Sequence, residues 1–206
     1  MARRSDHTRD ELSKLILSAA RELANAKGLR GLTARQIADK IGYAPGTIYN
    51  VFANLDDLIM QLRGATLDEL YDRLSKNMIK GSPEVILINI AYQYIAYVSE
   101  YPLLWNIMFE HRLPDDGERY AWYHEKTLRL LGLAEQAIAP FFNPDQADEF
   151  LHHVQVLWAS LQGICYVHIS GKLIIKEPAE GMAESLITNY IKGLRYETSI
   201  LNHDSR

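Results

Sequence analysis

Between residues 33 and 50 the chain sets five hydrogen-bonding side chains, Thr33, Arg35, Thr47, Tyr49 and Asn50, around a small bare step, Ala44-Pro45-Gly46. None of them forms a nucleophile–base pair, so the chemistry on offer is non-covalent recognition. Thr33 and Arg35 stand where a helix begins, and its free N–H groups favour an anion such as a phosphate. Thr47 can bond a phosphate or a base edge, or offer its methyl to thymine, and Asn50 carries the donor and acceptor that read adenine. Ala44, Pro45 and Gly46 leave clearance for close approach to a groove. Phosphate contacts supply affinity and register, and base contacts supply specificity. Thr33 can also cap its helix, and the two roles coexist.

Two short helices joined by a tight turn must position these groups. Thr33 is placed to N-cap the first, with Gln36 three residues on, where a capping box wants Glu or Gln. Ile37, Ala38 and Ile41 share one face at helical spacing. Gly42 falls where a helix end favours a left-handed residue. Pro45 suits the first turn of the next helix, and Ile48 and Phe52 point back to the core. A small residue at 38 lets the helices approach, glycine at 42 makes the bend, and a branched residue at 48 locks the second helix across the first. That is the pattern of a helix-turn-helix offering its second helix to a DNA major groove.

The block Gly31-Leu32-Thr33, Ile37-Ala38, Gly42, Gly46-Thr47-Ile48-Tyr49 and Phe52 resembles the DNA-binding signature of TetR-family transcriptional regulators. The resemblance implies that the helix after the turn reads DNA, that Tyr49 reaches a phosphate, and that the chain acts as a homodimer on a pseudo-palindromic double-stranded operator. It also implies a body that binds a small-molecule effector. One position departs from the family pattern. A Lys that contacts phosphate usually precedes the acidic pair after the recognition helix, and here Leu55 stands before Asp56-Asp57. In the body, Trp158-Ala159-Ser160-Leu161-Gln162-Gly163 resembles the Trp-(small)-x-x-His-Gly element of one branch, with Gln162 in place of His. Tyr101-Pro102-Leu103-Leu104-Trp105 to Met108-Phe109 resembles the same branch.

Composition fits this reading. Hydrophobic residues make up 48% and charged residues 23% of the 206, which supports a packed core and argues against global disorder. A lone cysteine, Cys165, excludes an internal disulfide framework. No apolar run reaches the roughly 18 residues of a membrane span, and the first residues do not read as a secretory signal. These features point to a cytoplasmic protein with no membrane partner. The net charge of −4 conceals a division: residues 1–52 hold nine Lys/Arg and five Asp/Glu, a net of +4, and the rest is −8. A positive end on an acidic body suits a DNA-facing end. Arg3, Arg4 and Arg9 read as a solvated tail or as an arm reaching the minor groove.

Helical periodicity runs throughout and strand alternation is absent, so the expected fold is all-α with about nine helices. The expected division is a helix-turn-helix domain over 1–54 and a ligand-binding and dimerisation domain over 55–206. Helices are expected at 9–27, across 33–52, at 54–78, 83–100, 103–111, 118–142 (irregular near Gly132), 144–170 and 179–200. Pocket candidates combine apolar surface with polar tips: Tyr94, Trp105, Met108, Phe109, Trp122, Tyr123, Trp158, Gln162 and Tyr166. The last two helices are the expected dimer interface, through Leu157, Leu161, Ile164, Cys165, Leu186, Ile187, Tyr190 and Leu194. No charged cluster marks the body, so an apolar or aromatic effector is preferred to an ionic one.

A rival reading is a helical-bundle metal protein or enzyme using Glu149 and His152, whose Glu-x-x-His spacing occurs in di-iron bundles. Such sites need a second copy of the motif, and the sequence has none. No Gly-x-Ser-x-Gly or phosphate loop is present, and Cys165 lies in an apolar helix. The expectation is therefore no enzyme, no metal and no cofactor.

Overall fold

The computed structural model describes residues 7–112, 119–142, 147–171 and 177–204. Among these the chain forms nine α-helices, two short 3-10 turns and no strand. The helices are α1 (Arg9–Lys27), α2 (Ala34–Ile41), α3 (Gly46–Tyr49), α4 (Leu55–Lys76), α5 (Pro83–Glu100), α6 (Pro102–Glu110), α7 (Ala121–Ile138), α8 (Ala147–Ser170) and α9 (Ala179–Asp204). The 3-10 turns are Gly28–Gly31 and Ala139–Phe141. The expected all-α class holds, and α7 runs without a break through Gly132.

Local signals explain the boundaries. Thr8 opens α1 with a reciprocal capping box: Glu11 N–H donates to Thr8 Oγ1 at 3.3 Å, and Thr8 N–H donates to Glu11 Oε2 at 2.7 Å. Asn54 caps α4, accepting from Asp57 N–H at 2.8 Å, and Asp57 accepts in turn from Ala53 N–H at 2.9 Å. Thr33 caps α2 by accepting from Gln36 N–H at 3.2 Å. Its box is half-formed, because the Gln36 side chain accepts from Lys27 Nζ at 3.4 Å. Gly42 ends α2 at φ 75° and ψ 30°, the left-handed region that only glycine enters freely.

The chain divides into two compact units, whose boundaries cut across α4 and α7. Unit 1 holds residues 1–68 and 101–124, and unit 2 holds residues 69–100 and 125–206. The reason is visible in the core of unit 1. Leu58, Ile59 and Leu62 of α4 and Leu104 and Ile107 of α6 are buried with Ile16, Ala20, Ile37, Ala38, Ile48 and Phe52. The helix-turn-helix is too small to bury its own apolar faces, so it borrows half of α4 and all of α6. Unit 2 is built from the rest of α4 and from α5, α7, α8 and α9, with Tyr94, Tyr97, Val98, Leu130, Ile138, Val154, Ala183 and Ile191 in its interior.

At Gly42 an added Cβ would meet nothing within 4 Å, so backbone conformation alone demands glycine there. Gly42→Ala should lower unfolding free energy by roughly 1–2 kcal/mol in urea melts; unchanged stability would contradict the left-handed turn.

Candidate functional site

The recognition surface rests on a very short element. α3 has a single turn, begun by Thr47 N–H to Ala44 carbonyl at 2.9 Å and Ile48 N–H to Pro45 carbonyl at 3.2 Å. Pro45 sits at its start with φ −55° and supplies no side-chain cap. Ile48 is fully buried, which turns the opposite side of the helix outward. All eight residues expected to face DNA lie on the surface of unit 1. Thr33, Arg35, Ala44, Pro45, Gly46, Tyr49 and Asn50 are exposed and Thr47 is half-buried. Tyr49 is 52% exposed, far too open for a packing role.

The charges around this surface are unequally free. Arg35 is 86% exposed and its carboxylate neighbour, Asp39, is 3.9 Å away, a long surface pair that leaves the guanidinium available. Lys40 is held by Glu22 at 2.7 Å. Arg3 and Arg4 lie outside the described residues. Arg9 is not a free tail: it opens α1, and its Nη2 donates to Val51 carbonyl at 3.3 Å.

The nine pocket candidates fall in both units. Trp105, Met108, Phe109, Trp122 and Tyr123 belong to unit 1, and Tyr94, Trp158, Gln162 and Tyr166 to unit 2. Within unit 1 several are committed to α4. Arg63, 96% buried, donates from Nη2 to Met108 carbonyl at 2.9 Å and to Tyr123 hydroxyl at 3.0 Å, and from Nη1 to His111 carbonyl at 3.3 Å. Its guanidinium also stacks 4.8 Å above the Tyr123 ring. Burial pushes the Tyr123 hydroxyl up from its ordinary range, and the Arg63 charge opposes that shift. Beside it, Trp122 packs so closely on Gly64 that a Cβ there would overlap the indole. Asp56 and His111 meet at 2.9 Å. Trp105 is buried and pairs with the half-exposed Phe109 at 4.5 Å between ring centroids.

Sequence reasoning missed Arg63. The signal was present: it lies four residues after Ile59 on the buried stripe of α4, where a charged residue needs partners. Its partners are two carbonyls at the α6 exit, where the helix dipole is negative, and it has no carboxylate among the described residues.

Unit 2 contains an apolar cavity of about 440 Å³, counting the solvent at its mouth. Its wall is Leu87, Ile90 and Ala91 from α5, Leu131 and Ala134 from α7, Val154, Leu157, Trp158 and Leu161 from α8, and Ala183, Leu186 and Ile187 from α9. Of the nine candidates only Trp158 lines it; Tyr94 packs behind, its ring 4.9 Å from the indole. Tyr166 is 49% exposed. Most of the expected dimer residues lie inside unit 2 of the protomer. Leu157, Leu161, Cys165, Ile187 and Leu194 are buried within unit 2, and four of the eight, Leu157, Leu161, Leu186 and Ile187, line the cavity. These side chains face the interior of the protomer. Ile164 and Tyr190 remain half-buried, with Tyr190 hydroxyl 2.7 Å from His153 Nδ1. Burial pushes the Cys165 thiol up to about 12, which disfavours the thiolate.

The Glu149 side chain lies outside the described residues. Among the described residues no group of three or more His, Cys, Asp or Glu side chains is gathered for a metal, and no helix is long and apolar enough to cross a membrane.

A three-helix head with a glycine turn and an outward polar face defines a helix-turn-helix regulator. Comparison with known proteins specifies the family. Residues 16–62 match the model of bacterial regulatory proteins of the tetR family, and residues 87–190 match the tetracyclin repressor-like C-terminal domain. The chain therefore belongs to the TetR family of transcriptional regulators. It is 24% identical over 89 residues to the uncharacterized HTH-type transcriptional regulator YobS of Bacillus subtilis (strain 168), an alignment spanning 43% of this chain and 47% of YobS, about half of that relative. It is similar in fold to a TetR transcriptional regulator from Rhodococcus sp. RHA1, with a TM-score of 0.66 at 19% identity over 90% of this chain and 97% of that one. It is also similar to the multidrug binding protein EbrR complexed with imidazole, with a TM-score of 0.63 at 19% identity over 92% and 97%.

Arg63→Met should lower stability by about 2–3 kcal/mol, because it leaves buried acceptors without a donor. Arg63→Lys should recover only part, since an ammonium lacks the planar fork. Urea melts measure both; equal stability of all three proteins would contradict the arrangement.

Proposed function

We propose that the protein is a homodimeric repressor acting in the cytoplasm, which binds a pseudo-palindromic operator through α3 and leaves it when a small apolar or aromatic ligand occupies the unit 2 cavity. The carrying observation is the surface of α2 and α3: Thr33, Arg35, Tyr49 and Asn50 stand exposed, with half-buried Thr47, around the bare step Ala44-Pro45-Gly46. Thr47 and Asn50 take base edges, and Thr33, Arg35 and Tyr49 take phosphates. The net charge of +4 on residues 1–52 steers this end to DNA. With Leu55 in place of the usual Lys, one backbone contact is lost and the salt dependence is shallower by about one charge.

The all-apolar cavity wall supports an uncharged ligand, because a buried ion needs a partner that this wall lacks. Ligand binding shifts the population toward a body arrangement that moves α4 and takes the paired heads off the operator spacing. For the dimer, the outward faces of α8 and α9 replace the inward set. Ala159 and Gly163 on α8, and Ser185, Asn189 and Gly193 on α9, are exposed. A Cβ added at Gly163 or Gly193 would meet nothing within 4 Å. Among the described residues nothing requires these glycines, whereas a closely packed mate would.

A map of DNA bound in cells supplies the operator. On that duplex, Thr47→Ala and Tyr49→Phe should each weaken binding about tenfold in anisotropy titrations at fixed salt. Undiminished affinity in both folded variants would overturn the assignment of α3. Ala183→Leu, which fills the cavity, should abolish the fluorescence gain of the neutral probe N-phenyl-1-naphthylamine while operator affinity stays within about twofold. Unchanged probe binding would place the ligand elsewhere.

A further inference from the structure

α3 has little to hold it. A single helical turn is unstable by itself, and this one carries no side-chain cap at either end. Its anchors in the core are Ile48 and, just beyond, Phe52. These two side chains, in line along one face, fix where the helix sits but leave its tilt about that line weakly set. Base readout needs the reading groups held to about half an ångström, so something else must fix the tilt.

The start of α1 supplies two bonds that bracket the short helix. Before it, in the turn, Tyr43 hydroxyl lies 2.8 Å from His7 Nδ1, with the two rings tilted at 59° and their centroids 6.2 Å apart. After it, Arg9 Nη2 reaches Val51 carbonyl at 3.3 Å, two residues past the helix end, on the side where the dipole favours a cation. The two bonds join segments 36 and 42 residues apart. They spring from adjoining residues on a rigid base, because Thr8 between them closes the capping box of α1.

We propose that His7 and Arg9 are positioning residues for DNA recognition, strapping Tyr43 and Val51 so that α3 is held in its reading orientation. This inference rests on the assignment of α3 as the reading helix. The strap is exposed, so its loss has little effect on unfolding. Its effect falls on discrimination: a tilted α3 keeps its phosphate attraction and loses base contacts.

The test uses the full chain and the variants His7→Ala, Tyr43→Phe, Arg9→Met and His7→Ala/Tyr43→Phe. Each is titrated against the operator and against a random duplex over a range of salt, and thermal melts establish the folded state. The expected result is a loss of operator affinity of about three- to tenfold per variant, with the His7/Tyr43 double variant no worse than either single one. Affinity for random duplex and the slope against salt should stay as in the unmodified protein. A slope lower by about one, with random-duplex binding weakened equally, would make His7 or Arg9 a direct phosphate contact and overturn the strap. Unchanged operator affinity would also overturn it, with or without a lower melting temperature. Failure of the unmodified protein to prefer the operator would instead remove the assignment of α3 on which the strap rests.

Discussion

The burial of Ile48 is the constraint on which the head depends. α3 is too short to be a helix by its own hydrogen bonds, and it exists because one branched side chain enters a core already floored by Ile37, Ala38 and Phe52. Burying a side chain of this size contributes roughly 1.5–3 kcal/mol, comparable with the cost of ordering the single turn. Alanines at 19, 20, 24 and 38 let the helices come close enough for that side chain to reach the interior. The same pin decides which residues face outward, because Ile48 pointing in puts Tyr49 and Asn50 out. Recognition is thus a by-product of packing.

The head does not close by itself. The first half of α4 and α6 complete its core, so three chain passages, within α4, between α5 and α6, and within α7, join the two units. Arg63 occupies a telling place in this scheme. It is a desolvated cation on α4 whose acceptors lie at the end of α6 and the start of α7. An apolar residue there would fill the space but could not satisfy those carbonyls. The cost of breaking the arrangement favours one alignment of α4 within unit 1.

Much of this architecture is legible in the sequence, and the reasons differ by element. The turn is readable because its demands are local: Gly42 must take positive φ, Thr33 must cap, and Ile48 must be apolar. The helices α1 and α5 match their expected spans, 9–27 and 83–100, since caps and breakers also act over a few residues. The division into units is not legible, because periodicity shows that α4 has an apolar stripe and does not show which elements bury each half of it. The same gap explains the dimer residues. α8 and α9 each carry two usable faces, and large apolar side chains such as Leu157 and Leu161 look like an interface in sequence. The structure turns them to the cavity and leaves the small residues Ala159, Gly163 and Gly193 outside. The aromatics of the body mislead in another way: Tyr123 and Trp122 resemble ligand-binding groups, but their polar tip and flat face serve Arg63 and Gly64.

The central claim is that α3 reads the major groove, once from each protomer of a dimer. Chemical footprinting of the bound operator tests it most directly. The account requires two symmetric patches of protected guanine N7 in the major groove, about 34–36 Å or a multiple of that apart along the duplex. Phosphate protection should flank each patch. A footprint confined to the minor groove, or a single patch without a symmetric mate, would contradict it.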